Sequence, residues 1–224
     1  SGEGDLRMKA LSPAGWWMHA KREWLRFHLA EPELAFILEP PPEGEWVVLD
    51  CETTGLDQRR DRVVSVAAVR IVGNRLMTSQ RLELVVRSER ALSADSVRVH
   101  LLRESDVAQG VEGADAMRQL LRFVGSRPLV GYYLEFDVAM LNHEVWPLLG
   151  FGLPQRKIEV SAMYHDWKSR SLPAHERGTR QIDLSFAAIM GDLDLPQRSA
   201  HDPLNDAVMA GLAFVKLRAL LGRE

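Results

Sequence analysis

One stretch restricts this chain more than any other. Between Val47 and Asp57 it reads Val-Val-Leu-Asp-Cys-Glu-Thr-Thr-Gly-Leu-Asp, so Asp50 and Glu52 interrupt and end an apolar run. Trp46 to Cys51 reads as a buried strand, and Thr53, Thr54 and Gly55 end it. Residues two apart on a strand share a face, so both carboxylates point to one side if the extended geometry continues. Two neighbouring acids raise each other's pKa unless positive charge sits between them. Two readings stay open: a strand end with solvated acids, or a pair that holds a divalent cation through oxygen ligands.

The chain has 224 residues, 46% of them hydrophobic, which suits one domain with a proper core and an appendage. No apolar run is long enough to span a bilayer, and Ser1 to Arg7 has no signal-peptide character. The expectation is a cytoplasmic protein without membrane association. Cys51 is the single cysteine, which excludes an intrachain disulfide and a cysteine-based zinc site. A net charge of −3 argues against coating duplex nucleic acid by phosphate neutralisation. It leaves room for an enzyme that grips a few nucleotides, because ions bound by an acidic site restore positive charge locally.

Residues 14–29 predict an amphipathic helix with Trp16, Ala20, Trp24 and Phe27 on one stripe, Trp17 beside it, and Arg22, Glu23 and Arg26 opposite. The stripe is expected to pack on the main domain, ahead of a partner surface such as a second copy of the chain. A membrane-surface role comes last. The proline-rich segment from Glu39 to Glu45 is read as a linker. This divides the chain into an extension, 1–45, and a main domain, 46–224.

Val63 to Val72 and Leu76 to Val86 are rich in β-branched residues around a Gly73-Asn74 turn, the pattern of a hairpin. Ala114 to Val124 predicts a helix, Pro128 to Tyr133 a strand, Glu135 to Leu149 a helix, and Ile158 to Met163 a fifth strand. Trp167 to Arg180, with Lys168, Arg170, Arg177 and Arg180, reads as a mobile basic loop. Leu184 to Met190 predicts a short helix capped by Asp183. The last helix opens at Asp202 with Pro203 in its first position. Strands followed by helix, strand and helix give an α/β domain around a mixed sheet.

Asp137 follows a strand at the start of a mostly apolar helix, and Asp206 lies in the first turns of a helix that is apolar nearly all round. Singly, each is accounted for as an acid favoured by the dipole of a helix start. Together with Asp50 and Glu52 they form a set of acids that would need partners if buried. His201 stands five residues before Asp206, a spacing that lets an imidazole reach over the site and act as a general base near neutral pH.

These residues resemble the motifs of the DEDDh, or DnaQ-like, 3′-to-5′ exonucleases, which include the proofreading subunit of the bacterial replicative polymerase. The first motif, Asp-x-Glu-Thr-Thr-Gly-Leu, matches Asp50 to Leu56; the second ends in Phe136-Asp137; the third, His-x4-Asp, matches His201 and Asp206. The resemblance implies a ribonuclease-H-like five-stranded mixed sheet flanked by helices, its first three strands antiparallel. It implies two divalent cations, Mg²⁺ or Mn²⁺, held by Asp50, Glu52, Asp137 and Asp206, with His201 taking the proton of the attacking water.

The expected substrate is the 3′ end of single-stranded DNA, released as nucleoside 5′-monophosphates, with RNA trimming as the alternative. A polymerase is a candidate partner, as is a second subunit. Thr53, Thr54, Gly55 and Leu56 are candidate contacts to the terminal nucleotide, and Phe136 packs either under a base or in the core. The chain departs from the pattern twice. Tyr133 replaces a frequent Asn and either stacks on a base or fills space. His100 is followed by leucines rather than Gly-Ile, and is a weaker substrate-site candidate.

Two other classes remain. A phosphatase of the haloacid-dehalogenase type wants Asp where Glu52 stands. A non-catalytic nucleic-acid or polymerase-binding module leaves the retained acids unexplained.

Overall fold

The computed structural model describes residues 13–87, 109–176, 178, 180–197 and 202–222. The acid-bearing strand forms as Glu45–Thr53 (β1), so its extended geometry continues past Glu52. It pairs antiparallel with Val63–Val72 (β2), which pairs antiparallel with Arg75–Val85 (β3). The hairpin between β2 and β3 turns at Gly73, whose φ of 58° suits a glycine. On its other side β1 pairs parallel with Leu129–Gly131 (β4), which pairs parallel with Lys157–Glu159 (β5). The order β3-β2-β1-β4-β5 is a five-stranded mixed sheet flanked by helices.

The alternation along β1 decides what covers each face. Val47, Leu49 and Cys51 meet Gly113–Val124 (α2) and Leu134–Leu149 (α3) in one core cluster. Val48 faces the opposite way, into a cluster with Val130, Ile71 and the helix Pro203–Leu220 (α6). Asp50 and Glu52 share the face of Val48, so they lie on the side that α6 covers. Asp202 caps α6 by accepting the backbone N–H groups of Leu204 and Asn205 at 2.9 and 3.2 Å. Close approach to β1 depends on Gly211, where an added Cβ would lie 3.1 Å from Val48 Cγ1 and 2.8 Å from Leu76 Cδ1.

Several expectations are corrected. The helix Pro13–His28 (α1) forms, but its aromatic stripe does not pack on the domain: Trp16 is 68% and Phe27 87% exposed, and Trp17 and Trp24 are also exposed. Leu25 and Leu29 make the contact with the core instead. Helical period marks an apolar stripe, but another helix or sheet must be there to cover it. Between α1 and β1, the 3-10 helix Pro32–Leu38 buries Leu34, Ile37 and Leu38 in the same cluster as the sheet. The backbone N–H groups of Ala30 and Glu31 donate to the Leu149 and Leu148 carbonyls, fastening this segment to the end of α3.

The fifth strand stops at Glu159 rather than running to Met163, because the Glu159 carboxylate accepts the Ser161 N–H (3.1 Å) and caps the helix Val160–Ser171 (α4). That helix takes up the first part of the expected basic loop. Arg170 pairs with Asp166 one turn back and Lys168 with Asp192, so these cations support helices. Arg177 lies outside the described residues. The short helix is Phe186–Asp192 (α5), and its cap is Ser185; Asp183 instead accepts the Ser185 N–H. Among the described residues, no helix is long and apolar enough to cross a membrane.

Candidate active site

The site forms where the carboxyl end of β1 meets the amino end of α6. The strand runs toward Glu52 while the helix runs away from it. Val48 lies against Gly211, and moving along the strand to Asp50 and Glu52 means moving back along the helix to Asp206. Carboxylate oxygens of Asp50, Glu52 and Asp206 lie within 4.8 Å of one another. The pairing of β1 with β2 shifts register between Glu52 and Thr53, where Ser65 and Val63 are the successive partners.

Asp137 enters from the opposite layer. It sits in the first turn of α3 and is 5% exposed. It stands beside the trio rather than inside the 4.8 Å set. Its influence is nevertheless first among the charges acting on Asp50.

Burial, then Asp137, Asp206 and Glu52, hold the Asp50 carboxyl well above the usual carboxylate range. Burial, with Glu52 and Glu159, does the same to Asp137, while the Cys51 backbone pulls it partly back. Glu52 is pushed up to about 7 by burial, with Asp206 and Asp202 adding to it. Cys51, buried between the acids, has its thiol raised by burial and by the same charges. The fold therefore gathers carboxylates where each disfavours ionisation of the next, an arrangement a divalent cation would relieve.

The turn after β1 divides its residues by task. Thr53 and Thr54 are buried. The Thr53 hydroxyl donates to the Gly55 carbonyl (2.6 Å), and the Thr54 hydroxyl donates to Asp61 (2.8 Å). Asp61 also accepts the Asp57 N–H at 2.8 Å. An added Cβ on Gly55 would come 2.6 Å from the Asp61 carboxylate. Leu56 is what projects, 83% exposed. His143 of α3 hydrogen-bonds the Gln58 carbonyl, and Arg62 lies 3.8 Å from Glu144, so the turn is pinned to the helix that carries Asp137.

Phe136 is partly buried and packs against the core cluster of α2 and α3. Tyr133 does not fill space: it is 63% exposed. His201 and His100 lie outside the described residues. Sequence reasoning missed Asp61 and Glu159. Asp61 lies in a polar run, Asp-Gln-Arg-Arg-Asp-Arg, with nothing local to mark it. Glu159 hides in a strand-to-helix junction whose apolar pattern continues that of the strand.

A family model described as exonuclease (RNase_T) matches residues 47–214, which include all four acids. The chain belongs to this exonuclease family. Among its relatives, a DNA polymerase III subunit epsilon of Rickettsia felis is 29% identical over 172 residues, covering 76% of this chain and 72% of the relative. A DNA polymerase III subunit epsilon-like protein of Rhodobacter capsulatus is 27% identical over 83% of this chain. That match spans only 25% of the relative. Of solved structures, Escherichia coli exonuclease I in complex with a dA16 oligonucleotide superposes with a TM-score of 0.67 at 12% identity. It covers 81% of this chain and 42% of that one, a likeness of fold. The ribonuclease-H-like architecture expected of the exonuclease is thus present, with Asp50 and Glu52 at the carboxyl end of its central strand.

Proposed function

We propose that the exonuclease removes nucleotides one at a time from the 3′ end of single-stranded DNA, releasing nucleoside 5′-monophosphates. The observation that carries this reading is the convergence of Asp50, Glu52 and Asp206 within 4.8 Å, with Asp137 beside them. The donor set is all carboxylate oxygen, the chemistry suited to Mg²⁺ or Mn²⁺, and such ions would offset the burial and the neighbouring charges that raise the Asp50 and Glu52 carboxyls. Asp50, Glu52, Asp137 and Asp206 would hold two of them, supplying charge neutralisation and Lewis acidity at the scissile phosphate.

The remaining roles belong to the chain's own residues. His201, five residues before Asp206, takes a proton from the attacking water. The water oxygen bonds to phosphorus as the bond to the 3′-oxygen breaks, and that oxygen takes a proton from solvent, so the shortened strand keeps a 3′-hydroxyl. The Thr53 to Leu56 turn receives the terminal nucleotide, with the buried threonines setting its shape and exposed Leu56 offering apolar contact. His100 is a further candidate for substrate contact. A polymerase partner is supported by the names of the relatives, and the exposed Trp16 and Trp24 face of α1 is open to such a partner or to a second copy.

The test is hydrolysis of single-stranded DNA and RNA, each labelled at the 5′ end, with Mg²⁺ or Mn²⁺. A ladder of 3′-shortened products from DNA, lost in Asp50→Ala, is expected. No shortening on any substrate, or shortening unaffected by Asp50→Ala, overturns the reading. Faster shortening of RNA moves the substrate class.

A further inference from the structure

Tyr133 combines three properties that a packing residue would not have. It is exposed, bulky and held in the left-handed region at φ 55°, ψ 32°, where a non-glycine residue other than Asn or Asp is uncommon. Strain of this kind persists only where the surroundings enforce it, and it concentrates at ligand-binding positions.

The enforcing contacts are specific. The Glu159 carboxylate at the end of β5 accepts the N–H of Tyr133 at 3.0 Å and of Leu134 at 2.9 Å. The same carboxylate accepts the Ser161 hydroxyl at 2.8 Å, which fixes its own position. Behind Tyr133, the Tyr132 ring meets it edge-on at 4.5 Å and stacks on Phe186 at 4.6 Å. The Tyr132 hydroxyl donates to the Leu184 carbonyl at 2.9 Å. The exposed ring is therefore backed by the Tyr132 ring, which Phe186 holds in turn.

Its place follows from strand register. Val48 pairs with Val130 in the parallel β1–β4 ladder, so β4, which stops at Gly131, leaves the sheet at the same end as β1, and Tyr133 follows there as the residue that opens α3. It also precedes Asp137 by about one helical turn. Tyr133 thus stands at the same end of the sheet as the acids.

We propose that Tyr133 is a preset stacking platform for an unpaired base of the substrate strand, locked by Glu159 and buttressed by Tyr132 and Phe186. This rests on the exonuclease reading and deepens it. Every base has a π-face, so such a platform accepts any sequence but requires a base that is out of its duplex. It thus favours single-stranded ends by chemistry that the acids alone do not provide.

The test uses the whole chain and KM for single-stranded oligonucleotides, each intact or carrying one abasic position scanned inward from the 3′ end. Tyr133→Asn is the informative variant, because Asn tolerates the left-handed backbone and the fold is retained while the ring is lost. Tyr133→Trp keeps a ring. The wild type is expected to show a KM penalty of about tenfold at one abasic position. Tyr133→Asn is expected to raise KM for the intact strand by a similar factor and to abolish that penalty, while Tyr133→Trp retains it. A wild type that turns over with an abasic penalty unchanged in Tyr133→Asn overturns the platform alone. A wild type without turnover on any strand overturns both the platform and the exonuclease reading.

Discussion

Two groups of acids in this molecule live under opposite conditions. Glu31 accepts the Nη2 and Nε N–H groups of Arg118, at 2.6 and 3.0 Å, and that guanidinium holds its carboxyl below the usual range. Asp50, Glu52 and Asp137 are instead desolvated beside one another and are held above it. Glu31 fastens the segment after α1 to α2, and its charge favours the fold. The site acids are kept together by β1, α3 and α6, and their charge opposes it. A carboxylate cluster retained against its own repulsion belongs to binding, and its removal should make the metal-free protein more stable while ending its chemistry.

The largest effect expected from breaking this contrast is at Asp50. Asp50→Asn should lower hydrolysis at least about a thousandfold, since charge stabilisation of several kcal/mol is withdrawn. The same change should raise the thermal midpoint in EDTA. Loss of activity with a lowered midpoint would mean that Asp50 supports the fold as Glu31 does.

Next is Gly211, which sets how closely α6 approaches β1. Gly211→Leu forces a side chain against Val48 and Leu76, and overpacking of this kind costs about 1–3 kcal/mol. Because Asp206 rides on the same helix, activity should fall further than the stability loss accounts for. Equal activity per folded molecule would show that the helix position does not matter to the site.

The pH dependence distinguishes the two groups by sign. Glu52 is raised from 4.5 to about 7 in the fold, so its stabilising contribution is complete below 4.5 and is lost as pH rises through 7. Asp50 and Asp137, also raised, continue the loss in the same direction. Glu31 and Asp192, both lowered by their basic partners, contribute stability that is present above the ordinary carboxylate range and lost only as pH falls below it. The midpoint in EDTA should therefore fall between pH 5 and pH 8, with a shallower slope in Asp50→Asn and a flattened one in the presence of Mn²⁺. A slope identical in wild type and Asp50→Asn would assign it to other groups.

The smallest effect is expected at Arg118. Its pairs with Glu31 and Asp115 are partly exposed, and such pairs contribute little when water screens them. Arg118→Ala should lower the midpoint slightly and leave turnover unchanged. Loss of turnover would tie α2 to the site.

The strand carrying Asp50 and Glu52, the β2–β3 hairpin and the Asp202-Pro203 helix start were legible because each rests on local chemistry: alternation, a glycine turn and a cap. The face of α1 was not legible. Trp16, Trp24 and Phe27 make a clear apolar stripe, but burial depends on what lies opposite, and here Leu25 and Leu29 take the contact. The Pro32–Leu38 turn was hidden for the same reason, since three buried apolar residues in a short proline-flanked segment have no period of their own. In the site, the identity of the acids could be read from their motifs, but the arrangement could not. Asp137 stands outside the 4.8 Å trio because α3 covers the other face of the sheet from α6.

The central claim is that the gathered carboxylates form a divalent-cation site. Calorimetric titration of Mn²⁺ at pH 7, repeated in two buffers of different ionisation enthalpy, tests it directly. With Glu52 near 7, part of its population is protonated, and cation binding must displace that proton. Saturable binding with proton release, lost in Asp50→Asn, is the expected result. Absence of saturable heat in the wild type, or equal binding by Asp50→Asn, would contradict it.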